Sequence, residues 1–124
     1  MIKNKVYYAK ANYGNSEISA VIKVLKNQRL NLMNSNNVRL FEKKIAKLFN
    51  KKYGLMVNSC SSANLLALSS LSLKSGSEVI TPSLTFSTTV SPIIQLGLKP
   101  VLVDVTLDSL LIDAKKIERM ITKK

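Results

Sequence analysis

From residue 53 onward, the chain alternates between short apolar segments and longer segments with helical periodicity, and this alternation restricts the possible folds more than any other feature. The apolar segments predict strands and the longer segments predict helices. The predicted strands are residues 54–57, 78–81 and 101–105, and the predicted helices are residues 63–73, 85–96 and 113–121. Strands that are joined by helical crossovers run parallel, with right-handed connections. The sequence therefore predicts an α/β fold, a partial three-layer sandwich with a mainly parallel sheet.

Two further helices are predicted before this alternation begins. Ser16 is expected to cap a helix that ends near Asn27, and residues 38–49 are expected to form a second helix. The asparagine-rich segment 28–37 between them, with Asn31, Asn34, Asn36 and Asn37, predicts a loop. The predicted buried stripes are Ile18, Val21, Ile22 and Leu25 in the first helix, and Val38, Phe41, Ile45, Leu48 and Phe49 in the second.

The composition argues against several classes of site. The chain has no histidine and one cysteine, Cys60, which disfavours a zinc or iron–sulfur centre and histidine-based catalysis. No apolar stretch approaches the roughly 20 residues that span a bilayer, and the N-terminus lacks the apolar core of a signal peptide. We therefore expect a cytoplasmic protein with no metal and no membrane partner.

The net charge of +12 raises the question of nucleic-acid binding. The basic residues are sixteen lysines and three arginines, and they are spread along the chain rather than gathered into one stripe. Arginine, however, is the residue that contacts phosphate and guanine in bidentate fashion. The composition therefore favours a solvated lysine-rich surface without a nucleic-acid partner. A DNA affinity that falls steeply with salt would support the alternative.

Three polar segments follow the predicted strands, at the edge of the sheet where α/β proteins bind ligands. The segments are residues 58–62, 82–86 and 104–108. The first leads into the N-terminus of an apolar helix, whose unpaired amides and positive dipole end form an anion site. The hydroxyl groups of Ser61 and Ser62 add donors there, although a simple serine cap is the alternative. In the second segment, the ring of Phe86 can cover one face of a planar ligand, and core packing is the alternative.

Three blocks of sequence follow one another in this same region. They are residues 57–65 (VNSCSSANL), 76–86 (GSEVITPSLTF) and 97–105 (GLKPVLVDV). In their order and spacing they resemble successive motifs of the DegT/DnrJ/EryC1/StrS aminotransferases, which usually read S-G-T/S-x-A, G-D-E-V-I-x-P-x-x-T-F and G-x-x-P-V-F-V-D-V. The pair Phe41 and Glu42 resembles the family's F-E pair. The similarity extends from about Tyr13 to the last residue.

The resemblance implies a fold-type-I enzyme that uses pyridoxal phosphate and forms a dimer. The usual task is amino transfer to a keto group on a nucleotide-linked sugar, in cell-surface polysaccharide biosynthesis. In such an enzyme the backbone and hydroxyls around Cys60, Ser61 and Ser62 hold the cofactor phosphate, and Phe86 stacks on the pyridine ring. Residues 61–65 most resemble the branch of sugar 3-dehydrases, which use pyridoxamine phosphate for deoxygenation.

The chain departs from the family pattern at Cys60, where glycine is usual and a side chain can crowd the phosphate. A reactive thiol is the rival role for Cys60, but no histidine in the chain can activate it. The resemblance places the Schiff-base lysine and the aspartate that pairs with the pyridine nitrogen beyond Lys124, so no catalytic residue is assigned.

We therefore expect a single incomplete domain that is inactive alone and is completed in a homodimer or by a C-terminal chain. Within it, residues 1–52 form an N-terminal helical segment and residues 53–124 begin the cofactor-binding large domain. The alternative is a stand-alone phosphate- or nucleotide-binding module.

Overall fold

The computed structural model describes residues 7–29, 32–33 and 35–123. The chain divides into two compact units, Met1–Met56 and Val57–Lys124. The first unit is helical, and the second contains helices and a parallel pair of strands.

The first helix, α1, covers Asn15–Asn27, as predicted, but its N-cap is Gly14 and not Ser16. The carboxylate of Glu17 accepts a hydrogen bond from the Gly14 amide at 2.7 Å, and the Ser16 hydroxyl donates to the same oxygen at 2.9 Å. A glutamate three positions into a helix satisfies the cap amide in this way, so the cap lies two residues before the predicted one. These bonds, first that from Gly14 and then that from Ser16, lower the pKa of Glu17.

The predicted stripe of α1 lies on one helix face, but it is not buried. Its four apolar side chains are between 44% and 58% exposed, namely Ile18, Val21, Ile22 and Leu25. Periodicity identifies the face that a helix offers for packing, and it does not reveal whether another element covers that face. The predicted burial is therefore wrong for the residues that the structure describes.

The second helix, α2, covers Asn36–Leu48 and begins two residues before the predicted start. Asn36 and Asn37 therefore belong to the helix and not to the predicted loop, whereas Asn31 and Asn34 lie outside the described residues. The buried residue of α2 is Ala46, which the prediction omitted. In the predicted stripe, Val38 and Ile45 are half-buried, while Phe41, Leu48 and Phe49 are exposed, which contradicts the prediction.

The predicted strand at residues 54–57 is absent, because none of the described residues pairs with this segment as a strand. A strand forms only where a neighbour satisfies its backbone groups. Here the Met56 amide donates instead to Oε1 of Glu42 in α2, at 2.8 Å. Gly54 lies against the backbone of the same helix residue, and a Cβ atom built on it would be 2.7 Å from the Glu42 carbonyl oxygen.

The second unit begins with α3, Cys60–Ser69, which starts three residues before and ends four residues before the predicted limits. Strand β1 covers Glu78–Pro82 and strand β2 covers Lys99–Val103. The two strands are parallel, with Glu78 opposite Lys99 and Pro82 opposite Val103. The predicted α/β class with parallel strands is therefore confirmed, with two paired strands in place of three in the part of the chain that is described.

Helix α4, Ser87–Gln95, connects β1 to β2. It begins two residues after and ends one residue before the predicted limits, and Gly97, which was predicted to close it, follows with a positive φ of 69° that suits a residue without a Cβ atom. Ile93 of α4 and Val103 of β2 are each 2% exposed and form the centre of the core of this unit. Helix and sheet are thus held together by apolar burial.

After β2, Val105 forms an isolated antiparallel bridge with Ile112 and not the end of a longer strand. Asp113 then caps α5, Ala114–Ile117, by accepting a hydrogen bond from the Lys115 amide at 3.1 Å, so the helix begins near its predicted start but ends four residues before the predicted end. A 3₁₀ turn, Glu118–Met120, follows α5. Among the helices of the described residues, none has the length and apolar character needed to traverse a bilayer.

Candidate functional site

The predicted anion-binding segment forms the first turn of α3. Cys60, Ser61 and Ser62 are its first three helical residues, and Ser59 is the N-cap. The Ser62 amide donates to the Ser59 hydroxyl oxygen at 3.1 Å, and the Ser59 hydroxyl donates to the Ser62 hydroxyl oxygen at 3.1 Å. The prediction had placed these residues in a loop before a helix at Ala63, so this position is corrected. The cap accounts for the earlier start, because it stabilises the first turn.

This cap leaves two amides of the turn without a helical partner. The first amides of a helix have no carbonyl four residues before them within the helix. The Ser62 amide donates to Ser59, so the amides of Cys60 and Ser61 remain available to a ligand. They lie at the positive end of the helix dipole. Ser61 and Ser62 are half-buried and Cys60 is exposed. The geometry suits an anion that accepts hydrogen bonds from backbone groups.

Cys60 has no positive φ, although glycine is usual at this position in the family that the sequence resembles. An α-helical residue tolerates any L side chain without backbone strain. The departure at Cys60 therefore does not distort the turn, and the thiol lies on the exposed side of it. The structure describes no cluster of metal-ligating side chains around this cysteine or elsewhere among the resolved ranges.

Phe86 is the N-cap residue of α4, directly after the turn that leaves β1. Phe86 is 74% exposed and does not pack in a core formed by the described residues. The Phe86 carbonyl oxygen accepts a hydrogen bond from the Thr89 amide at 2.9 Å, and the Thr85 hydroxyl donates to the Thr89 hydroxyl oxygen at 3.0 Å. In the described parts of the chain, no hydrogen bond or ring contact joins Phe86 to the first turn of α3.

The segment after β2 is organised around Asp104. Its Oδ1 accepts a hydrogen bond from the Val105 amide at 2.9 Å, and its Oδ2 lies 3.5 Å from Nζ of Lys116. The bond from Val105 is the largest cause of a lowered pKa at Asp104, followed by the charge of Lys116. Lys116 also lies 3.7 Å from Asp113. These contacts hold the loop that leaves β2 against α5.

Two residues with structural roles at the site were not singled out by the sequence. Ser59 lies three positions before Ser62, which is the spacing of an N-cap, so the sequence did carry that signal. Asn64 of α3 donates from Nδ2 to the carbonyl oxygen of Thr88 in α4, at 3.5 Å. This contact depends on how two helices pack, and no local pattern reveals it.

The side of α3 and α4 that faces β1 contains an open groove of about 480 Å³. Its walls are mainly apolar, and Leu68, Ile80 and Ile93 are among them. The hydroxyl oxygen of Thr81, on its floor, is buried and has no hydrogen-bond partner among the described residues. An unpaired buried hydroxyl costs about 1–3 kcal/mol. The groove is apolar, unlike the first turn of α3, and does not suit a phosphate.

Comparison with known proteins gives a consistent result. The sequence profile of the DegT/DnrJ/EryC1/StrS aminotransferase family matches residues 12–124. The lipopolysaccharide biosynthesis protein RfbH of Salmonella typhimurium is 47% identical over 68% of this chain and 21% of its own length. The GDP-4-keto-6-deoxy-D-mannose 3-dehydratase of Yersinia pseudotuberculosis is 34% identical over 94% of this chain and 30% of its own.

The solved structures agree with these sequence matches. The E. coli GDP-4-keto-6-deoxy-D-mannose-3-dehydratase with bound hydrated pyridoxal phosphate superposes with a TM-score of 0.84. It is 34% identical, and the match covers 93% of this chain and 31% of that enzyme. The chain therefore spans between a fifth and a third of the length of the proteins that it matches.

Proposed function

The chain belongs to the DegT/DnrJ/EryC1/StrS aminotransferase family, and we propose that it supplies the cofactor-phosphate side of the active site in a pyridoxal-phosphate-dependent enzyme of nucleotide-linked keto sugars. The proposal rests on the first turn of α3, where the Cys60 and Ser61 amides are available and the Ser62 amide is already capped. A helix N-terminus with free amides stabilises a phosphate group by hydrogen bonding and by the helix dipole.

Pyridoxal phosphate, when bound, supplies an electron sink for the carbon that carries the amino group. The chain's own residues bind the phosphate group of the cofactor and orient its pyridine ring. The amides of Cys60 and Ser61 donate to the phosphate, and the hydroxyl groups of Ser61 and Ser62 add donors. The exposed ring of Phe86 covers one face of the pyridine ring and keeps water from it. Residues 53–124 then form the beginning of the cofactor-binding domain.

The reaction that we propose first is amino transfer to the keto group of a nucleotide-linked sugar, in the biosynthesis of cell-surface polysaccharide. Sugar 3-dehydration is the second candidate. It is favoured because two proteins described as 3-dehydratases match 94% and 93% of the chain, each with 34% identity. Both reactions require the same phosphate site. The working form is proposed to be a homodimer or a complex with a completing C-terminal chain, which analytical ultracentrifugation at several concentrations will reveal.

Binding of pyridoxamine phosphate to the 124-residue chain, followed by NMR, tests the phosphate site. The amine form is the suitable probe, because the aldehyde of pyridoxal phosphate would react with surface groups among the sixteen lysines. We expect the amide signals of Cys60 and Ser61 and the ring signals of Phe86 to shift together. Pyridoxamine without phosphate is the matched ligand control and should bind at least about tenfold more weakly, which corresponds to about 1.4 kcal/mol.

The variant Ser61→Ala removes one proposed donor without touching the Ser59 cap. It should weaken binding of pyridoxamine phosphate about threefold to tenfold and leave stability unchanged. Equal affinity for both forms of the ligand, or no shift at the first turn of α3, contradicts the proposed cofactor site. If inorganic phosphate binds as tightly as pyridoxamine phosphate and leaves Phe86 unchanged, the stand-alone anion-binding module is the better description.

A further inference from the structure

Helix α4 contains a proline in its interior, and this leaves one of its carbonyl groups without a helical donor. Pro92 has no amide hydrogen, so the carbonyl of Thr88, four residues earlier, receives no bond from that position. Pro92 is buried and Thr88 is half-buried, and a partly buried carbonyl group is usually hydrogen-bonded. A side chain from a neighbouring element of the fold can supply that donor.

That partner is the side chain of Asn64. Its Nδ2 lies 3.5 Å from the Thr88 carbonyl oxygen, at a partly buried position between α3 and α4. Asn64 lies two residues after Ser62, and Thr88 lies two residues after Phe86. The contact thus joins the helix turn next to the proposed phosphate site with the first turn of the helix that Phe86 caps.

Among the described residues no second hydrogen bond joins α3 to α4, and the apolar contacts between them are not directional. A hydrogen bond between an amide and a carbonyl group, by contrast, requires a definite distance and angle. Asn64 is therefore the group that can fix the register of α3 against α4. A leucine of nearly the same shape would fill the space without fixing that register, and an aspartate would lack the donor.

We propose that Asn64 is a positioning residue that sets the spacing between the first turn of α3 and the ring of Phe86, and this rests on the proposed cofactor site. A ligand that uses both elements depends on that spacing. A ligand that uses only the first turn of α3, such as inorganic phosphate, does not. The two probes therefore separate positioning from a general effect on folding.

The test compares Asn64→Leu with the unmodified chain, with NMR titrations of pyridoxamine phosphate and of inorganic phosphate. We expect about threefold to tenfold weaker binding of pyridoxamine phosphate, the range for loss of one hydrogen bond, and unchanged binding of inorganic phosphate. Ser70→Ala is the matched control, since it removes a hydroxyl that donates to the Ala67 carbonyl oxygen at 2.7 Å, beyond the other end of α3. It should change neither affinity.

A second variant distinguishes positioning from simple satisfaction of the Thr88 carbonyl. Pro92→Ala in the Asn64→Leu background returns an amide donor to α4 but does not rejoin the two helices. Binding of pyridoxamine phosphate should therefore stay weak in the double variant. Recovery of that binding, or an equal loss of both ligands in Asn64→Leu, overturns the role of Asn64. If the unmodified chain does not prefer pyridoxamine phosphate over inorganic phosphate, the proposed cofactor site itself fails, and the positioning role fails with it.

Discussion

Gly54 lies so close to the backbone of α2 that a larger residue does not fit without movement. A Cβ atom at this position would be 2.7 Å from the Glu42 carbonyl oxygen and 3.3 Å from the carbonyl carbon. Gly54 does not have the positive φ found at Gly76 and Gly97, so backbone conformation is not the reason for glycine. The reason is the close approach of two backbone segments. We therefore predict that Gly54→Ala pushes residues 54–56 away from α2.

The magnitude follows from the contact that this movement breaks. The Met56 amide donates to a carboxylate oxygen of Glu42 at 2.8 Å, and hydrogen bonds to charged groups contribute about 1.5–3 kcal/mol. The bond is exposed, which favours the lower part of that range. Alanine also stiffens the unfolded chain, which stabilises the fold by about 0.4–1 kcal/mol. The difference predicts that Gly54→Ala lowers the free energy of unfolding by about 0.5–2 kcal/mol.

Urea denaturation followed by circular dichroism measures this change, provided that the slope with urea is unchanged. Leu55→Ala is the matched control, because Leu55 is 78% exposed and its loss should change stability by less than about 0.5 kcal/mol. In a Glu42→Ala background the hydrogen bond is already absent, so Gly54→Ala should cost less than it does alone. Equal costs in the two backgrounds, or no cost at all, would refute the proposed link between the close approach and the Met56 bond.

Two further outcomes concern the ends of the strands and of α3. Ser59→Ala should lower the free energy of unfolding by about 1 kcal/mol, because it removes the acceptor of the Ser62 amide; urea denaturation measures it, and an unchanged midpoint contradicts the cap. Because the pKa of Asp104 is lowered in the folded state, the ionised carboxylate stabilises the fold at pH values above its ordinary pKa of 3.8. This contribution is lost as the pH falls through the folded-state pKa. Lys116→Gln should raise the pKa of Asp104 only in part, since the Val105 amide is the larger cause; NMR titration that shows no rise refutes this.

The sequence predicted those elements that depend on local signals. Helix α1 and the two strands β1 and β2 lie close to their predicted limits, and α5 begins next to its predicted start. Apolar periodicity, caps and turn residues act over a few positions, so they can be read directly. Two predictions were wrong, namely the strand at residues 54–57 and the burial of the apolar stripe of α1. Both depend on which other segment of the protein packs against these residues, and local patterns do not show that.

The candidate site follows the same division. Family motifs identified Cys60, Ser61, Ser62 and Phe86, and the structure places the first three in one helical turn; their binding of a cofactor remains a prediction. The contact made by Asn64 was not predicted, because it requires the relative position of two helices and a missing donor in α4. A proline inside a predicted helix indicates that the carbonyl group four residues earlier lacks its helical donor. It does not indicate which side chain will donate to that carbonyl.

In the proposed site, one amide of the first turn of α3 is used by the helix cap and two are left for a ligand. Ser59 uses its hydroxyl group to satisfy the Ser62 amide, and this bond exists without any ligand. The amides of Cys60 and Ser61 have no such partner in the helix, and an anion can reach them without breaking the cap. Substitution of Ser59 should therefore lower stability, whereas substitution of Ser61 should lower phosphate affinity at constant stability. A turn in which both substitutions changed both properties would not be organised in this way, and the two available amides would then have no assigned purpose.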